Sequence, residues 1–248
     1  MAVYLARINI YLALAPLFLS HLLLLYATLR ANCQWWGPVV RAFATEQKEV
    51  WLTIDDGPSP AHTLKMLDLL QRFDARVTFF VIGTHAENYP HLITEILSHG
   101  HEIANHTFTH PSGTFWCASP AKIAAEISRC QEMLRSSPER PARLFRAPAG
   151  LKNCFLHPEL TRRGLRLVGW TVRGLDTIRR DATSVAAAIL EKVEPGAILL
   201  LHEGHRVEKD PEHNLRCLEM TLSGLFERGY QCVIPAPEAL LVRRKIKR

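Results

Sequence analysis

Of the six cysteines, Cys33, Cys117, Cys130, Cys154, Cys217 and Cys232, none stands in a C-x-x-C pair. That excludes the paired-thiol pattern of zinc ribbons and thioredoxin-like redox motifs, and it leaves the redox state of the six open. A body of this size needs no covalent staples, and buried free thiols are common. The chain also lacks internal repeats, low-complexity tracts and long linkers, so solenoid and propeller architectures fall away. A formal net charge of +6 comes without any recognisable nucleic-acid module, so nucleic acid is not an expected partner.

Charge itself is missing from Ile8 to Leu29, between Arg7 and Arg30. About 22 such residues, as a helix, span the ~30 Å hydrocarbon core of a bilayer. A transmembrane helix is therefore expected, interrupted by Pro16, Ser20 and His21, with a cleaved signal peptide as the competing reading. The apolar region is longer than a signal peptide's, and no clear small-residue cleavage site precedes Arg30. Orientation is not fixed by charge, because the amino terminus and Arg7 balance Arg30 and Arg41. The basic tail Arg243–Arg248 suits anionic lipid headgroups or phosphate-bearing substrates, or is simply a solvated end.

Beyond the anchor, apolar runs alternate with helical periodicity. Strands are expected at Val50–Ile54, Val77–Ile82, Glu102–Asn105, Leu144–Arg146, Leu165–Trp170, Ala197–Leu201 and Gln231–Ile234. Helices are expected near Ala61–Phe73, Tyr89–Ser98, Ala121–Leu134, His157–Arg163, Ala182–Lys192 and Leu215–Arg228. Such βα units suit a barrel of parallel strands with its chemistry at the C-terminal strand ends; periodicity alone leaves an open doubly wound sheet in play.

Those strand ends carry the informative residues. Asp55 and Asp56 follow Val50–Ile54 just before the Gly57-Pro58 turn; if strand alternation persists, their side chains point apart and hold different jobs. The plainer reading is that Asp56 or Ser59 caps the next helix. His106 and His110 are four residues apart, so a helical or turn-like segment lets both imidazoles reach one ion. Two imidazoles and a carboxylate, with a position left for water, form a known catalytic zinc set. Further on come Phe145-Arg146-Ala147-Pro148-Ala149-Gly150, Asp176, and Leu200 and His202 at the end of an apolar run. Taken singly, Arg146 reads as a surface charge and His202 as a structural histidine.

Taken together and in this order, the five segments resemble the polysaccharide deacetylase (NodB-homology) family of metal-dependent carbohydrate esterases, over roughly Val50 to Ile234. The resemblance implies an irregular (β/α)7 barrel over residues 48–248, with residues 1–47 as membrane anchor and connector. It implies Asp56, His106 and His110 as metal ligands and Asp55 as the general base that takes a proton from metal-bound water. Arg146 then holds Asp55 ionised through paired hydrogen bonds, the Ala149 N–H faces the oxyanion, and His202, oriented by Asp176, protonates the leaving amine. Trp170 and Leu200, the apolar residues nearest that pair, are candidates for the acetyl pocket.

This chain departs from the family at Ala149, where an aromatic is usual, and at Thr177, where Trp commonly follows the aspartate. Both changes bear on substrate more than on catalysis. The aromatic segment Pro111–Ala118 could stack on a sugar or pack against the next helix. The expected activity is removal of an N-acetyl group from an amino sugar in a glycan or lipid-linked saccharide. The domain is expected to be anchored by a single pass and outside the cytoplasm, where the family meets its glycans. Zinc is the expected metal, with cobalt, nickel or manganese suited to similar ligands. Hydrolysis of a non-sugar amide is the neighbouring alternative, and a silent glycan-binding module the more distant one, since binding alone requires neither base nor acid.

Overall fold

The computed structural model describes residues 2–136, 142–204, 210 and 212–242. The tail Arg243–Arg248 therefore lies outside the described residues. In chain order the elements are α1 (Ala2–Leu29), β1 (Ala42–Phe43), β2 (Glu49–Gly57), α2 (Thr63–Arg72), β3 (Thr78–Val81), α3 (Gly83–Asn88) and α4 (Pro90–Ser98). There follow β4 (Glu102–Asn105), α5 (Pro120–Met133), β5 (Leu144–Phe145), α6 (Leu156–Arg162), β6 (Arg166–Leu167) and β7 (Val172–Arg173). The chain ends with α7 (Ala182–Leu190), β8 (Ile198–His202), α8 (His213–Glu227), β9 (Gln231–Cys232) and β10 (Leu240–Leu241).

β2 is the centre of the sheet. Its residues from Val50 to Gly57 are all buried, and it pairs in parallel with β3 on one side and β8 on the other. An unbroken apolar run is what a parallel strand covered on both faces requires. The main sheet runs β6-β5-β4-β3-β2-β8-β7, every pairing parallel, with β9 added against the start of β2. Strand alternation sorts its side chains. Leu52, Ile54, Phe79 and Val81 pack with residues of α2, α4, α7 and α8, whereas Trp51, Phe80, Ala104, Leu144, Val168 and Ile198 fill the inner face. Each large apolar side chain so buried contributes about 1.5–3 kcal/mol. Helix starts follow local chemistry: the Ser119 hydroxyl caps α5, and the Asp181 carboxylate accepts from the Thr183 and Ser184 N–H groups at the start of α7.

The fold is α/β, a parallel sheet curled into a half-barrel. Among the described residues β6 and β7 are its two edges. The run expected as one strand from Leu165 to Trp170 splits here, for a physical reason. Past Leu167 the backbone takes on a second partner: Val40 donates to the Leu167 carbonyl and Gly169 donates to the Val40 carbonyl, while the Phe43 N–H donates to the Gly196 carbonyl before β8. The segment Val40–Phe43 thus lies across the opening, and β1 also pairs antiparallel with β10. α3, β1, β7 and β10 were not expected, being too short for a period to register.

α1 holds one candidate span, Asn9–Leu29, 21 residues long and only 6% buried. Its far end is docked. Lys152, buried against the body, donates from Nζ to the carbonyls of Arg30 and Ala31 at 2.7 and 2.8 Å. A cation at a helix C-terminus complements the dipole there. All six cysteines are free thiols, and burial pushes those of Cys130, Cys217 and Cys232 up to about 12.

Candidate active site

The two aspartates at the end of β2 reach the same cleft because alternation fails between them. The pairing with β3 shifts register between Asp55 and Gly57, and Asp56 has φ 75°. Such a bulge re-aims one side chain. Asp55 stays in register opposite His202 of β8, while Asp56 turns toward the histidine loop. The plainer capping role is not seen: α2 begins at Thr63, and its N-cap His62 makes no side-chain cap bond.

His106 and His110 sit on a turn, not a helix. Thr107 and His110 both have positive φ, 67° and 51°. Two buried side chains hold this loop. Asn105 Oδ1 accepts the Thr107 N–H, and Glu126 of α5 accepts the N–H groups of Phe108 and Thr109 and the Thr109 hydroxyl. The outcome is convergence: Asp56 Oδ1 lies 3.4 Å from His106 Nε2 and 3.2 Å from His110 Nε2, and the three donors all lie within 4.8 Å of one another. Donors about 2.0–2.1 Å from a tetrahedral ion are roughly 3.3 Å apart, so the spacing fits a divalent cation. The tautomer fits as well. His106 Nδ1–H donates to the Arg146 carbonyl at 2.9 Å, which turns the Nε2 lone pair toward Asp56. Burial alone would lower the His106 pKa, but Asp55 and Asp56 outweigh it and raise it, as a site built for positive charge should.

Arg146 is fully buried, its guanidinium carbon 4.0 Å from the centre of the Phe80 ring. It meets Asp55 through one bond rather than the expected pair: Nη1 donates to Asp55 Oδ1 at 2.6 Å and to the Thr53 hydroxyl at 2.8 Å. Its remaining donors go to the carbonyls of Gly169 and Val168, where the strand is split. The same splitting that opens the sheet therefore supplies acceptors for a buried cation. On the other side, Asp176 accepts from His202 Nδ1 at 2.9 Å and from the His202 N–H at 2.7 Å. Burial opposes a charge on His202, yet the Asp176 bond and field, helped by Asp55 and Asp56, push its pKa up to about 9.

Three contributors escaped the sequence reading. Glu126 anchors the histidine loop. Glu203, fully buried next to His202, accepts from the Ser59 N–H and the Thr63 hydroxyl and so ties down the turn after Asp56; burial raises its pKa to about 7. His85 Nδ1 donates to the Asp56 carbonyl at 3.0 Å. Glu203's adjacency to His202 was the only available signal; nothing in the sequence tied Glu126 or His85 to a loop that folding alone brings near them.

Asp55, Asp56, His106, His110, Ala149, Trp170, Leu200 and His202 border a single cavity of about 300 Å³, with Ser112, Thr177 and exposed Ile178 at its rim. Ala149 lies in a turn with φ 52° and is exposed. A second cavity, about 570 Å³, adjoins the first through Asp56 and His110 and runs past Ser59, His85 and Tyr89. Of the aromatic segment after His110, Phe115 packs on Phe145 in the core, and Trp116 is 38% exposed with its N–H bonded to Gly113.

A curled parallel sheet that gathers paired carboxylates, two convergent imidazoles and a charged histidine at one end belongs to the class of hydrolases that activate water beside a single cation. Comparison narrows the class. The polysaccharide deacetylase model matches residues 43–168. A chitooligosaccharide deacetylase of Bradyrhizobium sp. is 35% identical over 76% of this chain and 84% of its own length, and a peptidoglycan-N-acetylglucosamine deacetylase of Bacillus cereus is 30% identical over 83% and 94%. The structure of a family 4 carbohydrate esterase from Streptomyces lividans in complex with acetate superposes with a TM-score of 0.68 at 28% identity, covering 77% of this chain and 95% of that one. The chain belongs to the polysaccharide deacetylase family.

Proposed function

We propose that this protein hydrolyses the N-acetyl group of an amino sugar in a glycan or lipid-linked saccharide. The observation that carries the reading is the convergence of Asp56, His106 and His110 beside an Asp55 already engaged by Arg146. Asp56, His106 and His110 would hold the metal, for which zinc is the best match and cobalt, nickel or manganese are compatible. When bound there, a divalent ion supplies Lewis acidity toward the amide carbonyl and acidifies water.

The chain's own groups do the rest. Asp55, its rotamer set by Arg146, accepts the proton of the attacking water. The Ala149 N–H offers a donor to the oxygen on which negative charge develops. His202, kept protonated by Asp176, gives its proton to the departing sugar amine. Leu200 and Trp170 bound the space for the acetyl methyl and exclude water from it. Residues 48–248 are read as the catalytic domain, with the irregular (β/α)7 barrel as its topology. Residues 1–47 are read as a single-pass anchor and connector that holds the domain outside the cytoplasm.

The test is acetate release from N-acetylated chitooligosaccharides and peptidoglycan fragments by protein of known metal content. Acetate from these, abolished by chelation and restored by the ion, supports the reading. A metal-loaded protein that cleaves only non-sugar amides would replace it.

A further inference from the structure

A third cavity, about 520 Å³, lies where α1 meets the catalytic body, lined by Tyr26, Leu29, Arg30, Asn32, Arg41 and Arg173 among others. It shares Ala149, Trp170 and Arg173 with the catalytic cavity, so the two are neighbours across one wall. Its charge is one-sided. Three arginines border it, no carboxylate does, and among the described residues none of the three has an acidic partner. Arg30 lies over the Tyr26 ring, Arg173 over the Trp170 ring, and Arg41 gives one bond to the Val242 carbonyl. Like charges gathered without a counter-charge repel one another, so the arrangement is stabilised by an anion; planar guanidinium forks suit phosphate oxygens in particular.

The junction is also fixed in place. Asn32 bonds the Trp170 backbone through both its amide nitrogen and its oxygen, and Lys152 grips the carbonyls at the end of α1. With α1 as the anchor, this cavity lies at the level of the lipid headgroups, and its apolar residues Tyr26 and Leu29 continue toward the bilayer.

We propose that Arg30, Arg41 and Arg173 bind the phosphate that joins the amino sugar to a lipid, so that the substrate is a membrane-borne glycosyl phosphate. Its sugar occupies the catalytic cavity and its phosphate the arginine cavity. The small residue at Ala149 leaves the wall between them low. This rests on the deacetylase reading above and names its substrate class.

The test uses the full chain in neutral detergent micelles and three N-acetylglucosamine substrates. The first carries an alkyl chain through a phosphodiester, the second the same chain as a simple glycoside, and the third is a chitooligosaccharide. The wild type is expected to favour the phosphodiester over the glycoside by roughly 30-fold in kcat/KM, the scale of charge-assisted hydrogen bonds. Arg30→Gln/Arg41→Gln should remove that preference and leave the chitooligosaccharide rate within about twofold; Arg30→Lys/Arg41→Lys should restore part of it. Equal wild-type rates on the two alkyl sugars, or a parallel loss on all three in the variant, overturns the proposal. So does a variant that keeps the preference while losing attachment to phosphatidylglycerol but not phosphatidylcholine vesicles, since the arginines would then serve a phospholipid headgroup. If no substrate yields acetate, the deacetylase reading is what fails. Calorimetric binding of the phosphodiester then decides the cavity alone: weaker binding by the glutamine variant supports it, and equal binding overturns it.

Discussion

The two walls of the cleft obey different rules. At the ends of β2, β4, β5 and β8, charges are buried or nearly so and each is held by a partner: Asp55 by Arg146, His106 by the Arg146 carbonyl, His202 by Asp176, the histidine loop by Glu126. Toward α1, the arginines Arg30, Arg41 and Arg173 are exposed or half-exposed and have no acidic partner among the described residues, and Ala149 and Thr177 are the two positions at which the family resemblance leads one to expect aromatics. A buried charge without a partner costs several kcal/mol, so the first wall can hardly vary. The second can, and the proposed arginine site places substrate choice there.

The largest effect should come from the first wall. Asp56→Ala removes the donor shared by both imidazoles, and metal content measured after gel filtration should fall from one ion per chain to none, with acetate release lost; retention of the ion would place the metal elsewhere. Asp176→Asn should lower kcat by roughly 10²-fold and move the alkaline limb of the pH profile. In the wild type, His202 with its pKa near 9 keeps activity up to about that pH, whereas in the variant the fall should begin nearer the ordinary 6.5. The sign for stability agrees: folding raises the pKa, so the contribution is complete below 6.5 and disappears as pH rises through about 9. An unshifted limb would remove Asp176 from this role.

Glu126→Gln leaves every ligand in place but loosens the loop that carries two of them, and metal affinity by competition titration should drop about tenfold. Unchanged affinity would mean that Asn105 suffices. The smallest effect belongs to the second wall. Ala149→Trp adds an aromatic to this wall and should lower KM for chitooligosaccharide about threefold, with kcat nearly constant. A large fall in kcat would show that this wall, too, is under catalytic constraint.

The first wall was largely legible in the sequence and the second was not. Asp55, Asp56, His106, His110, Arg146, Asp176 and His202 each end or follow an apolar run, and the long central strand and amphipathic helices α2, α5 and α8 declare themselves by period. The bulge at Asp56 did not show, because a positive φ at a non-glycine residue leaves no pattern. Nor did the splitting of Leu165–Trp170, whose hydrogen bonds go to Val40 and Arg146, far away in sequence. Arg30 and Arg41 read only as flanks of an apolar run until folding set them beside Arg173.

The most direct test of the account pairs two readings on Asp55→Asn. The asparagine oxygen can still accept from Arg146, which keeps its bonds to Thr53 and Gly169, so the fold should stand. The account predicts one divalent ion per chain, as in the wild type, and acetate release reduced by about 10³-fold or more. A metal-loaded Asp55→Asn protein that still turns over at near wild-type rate would contradict it.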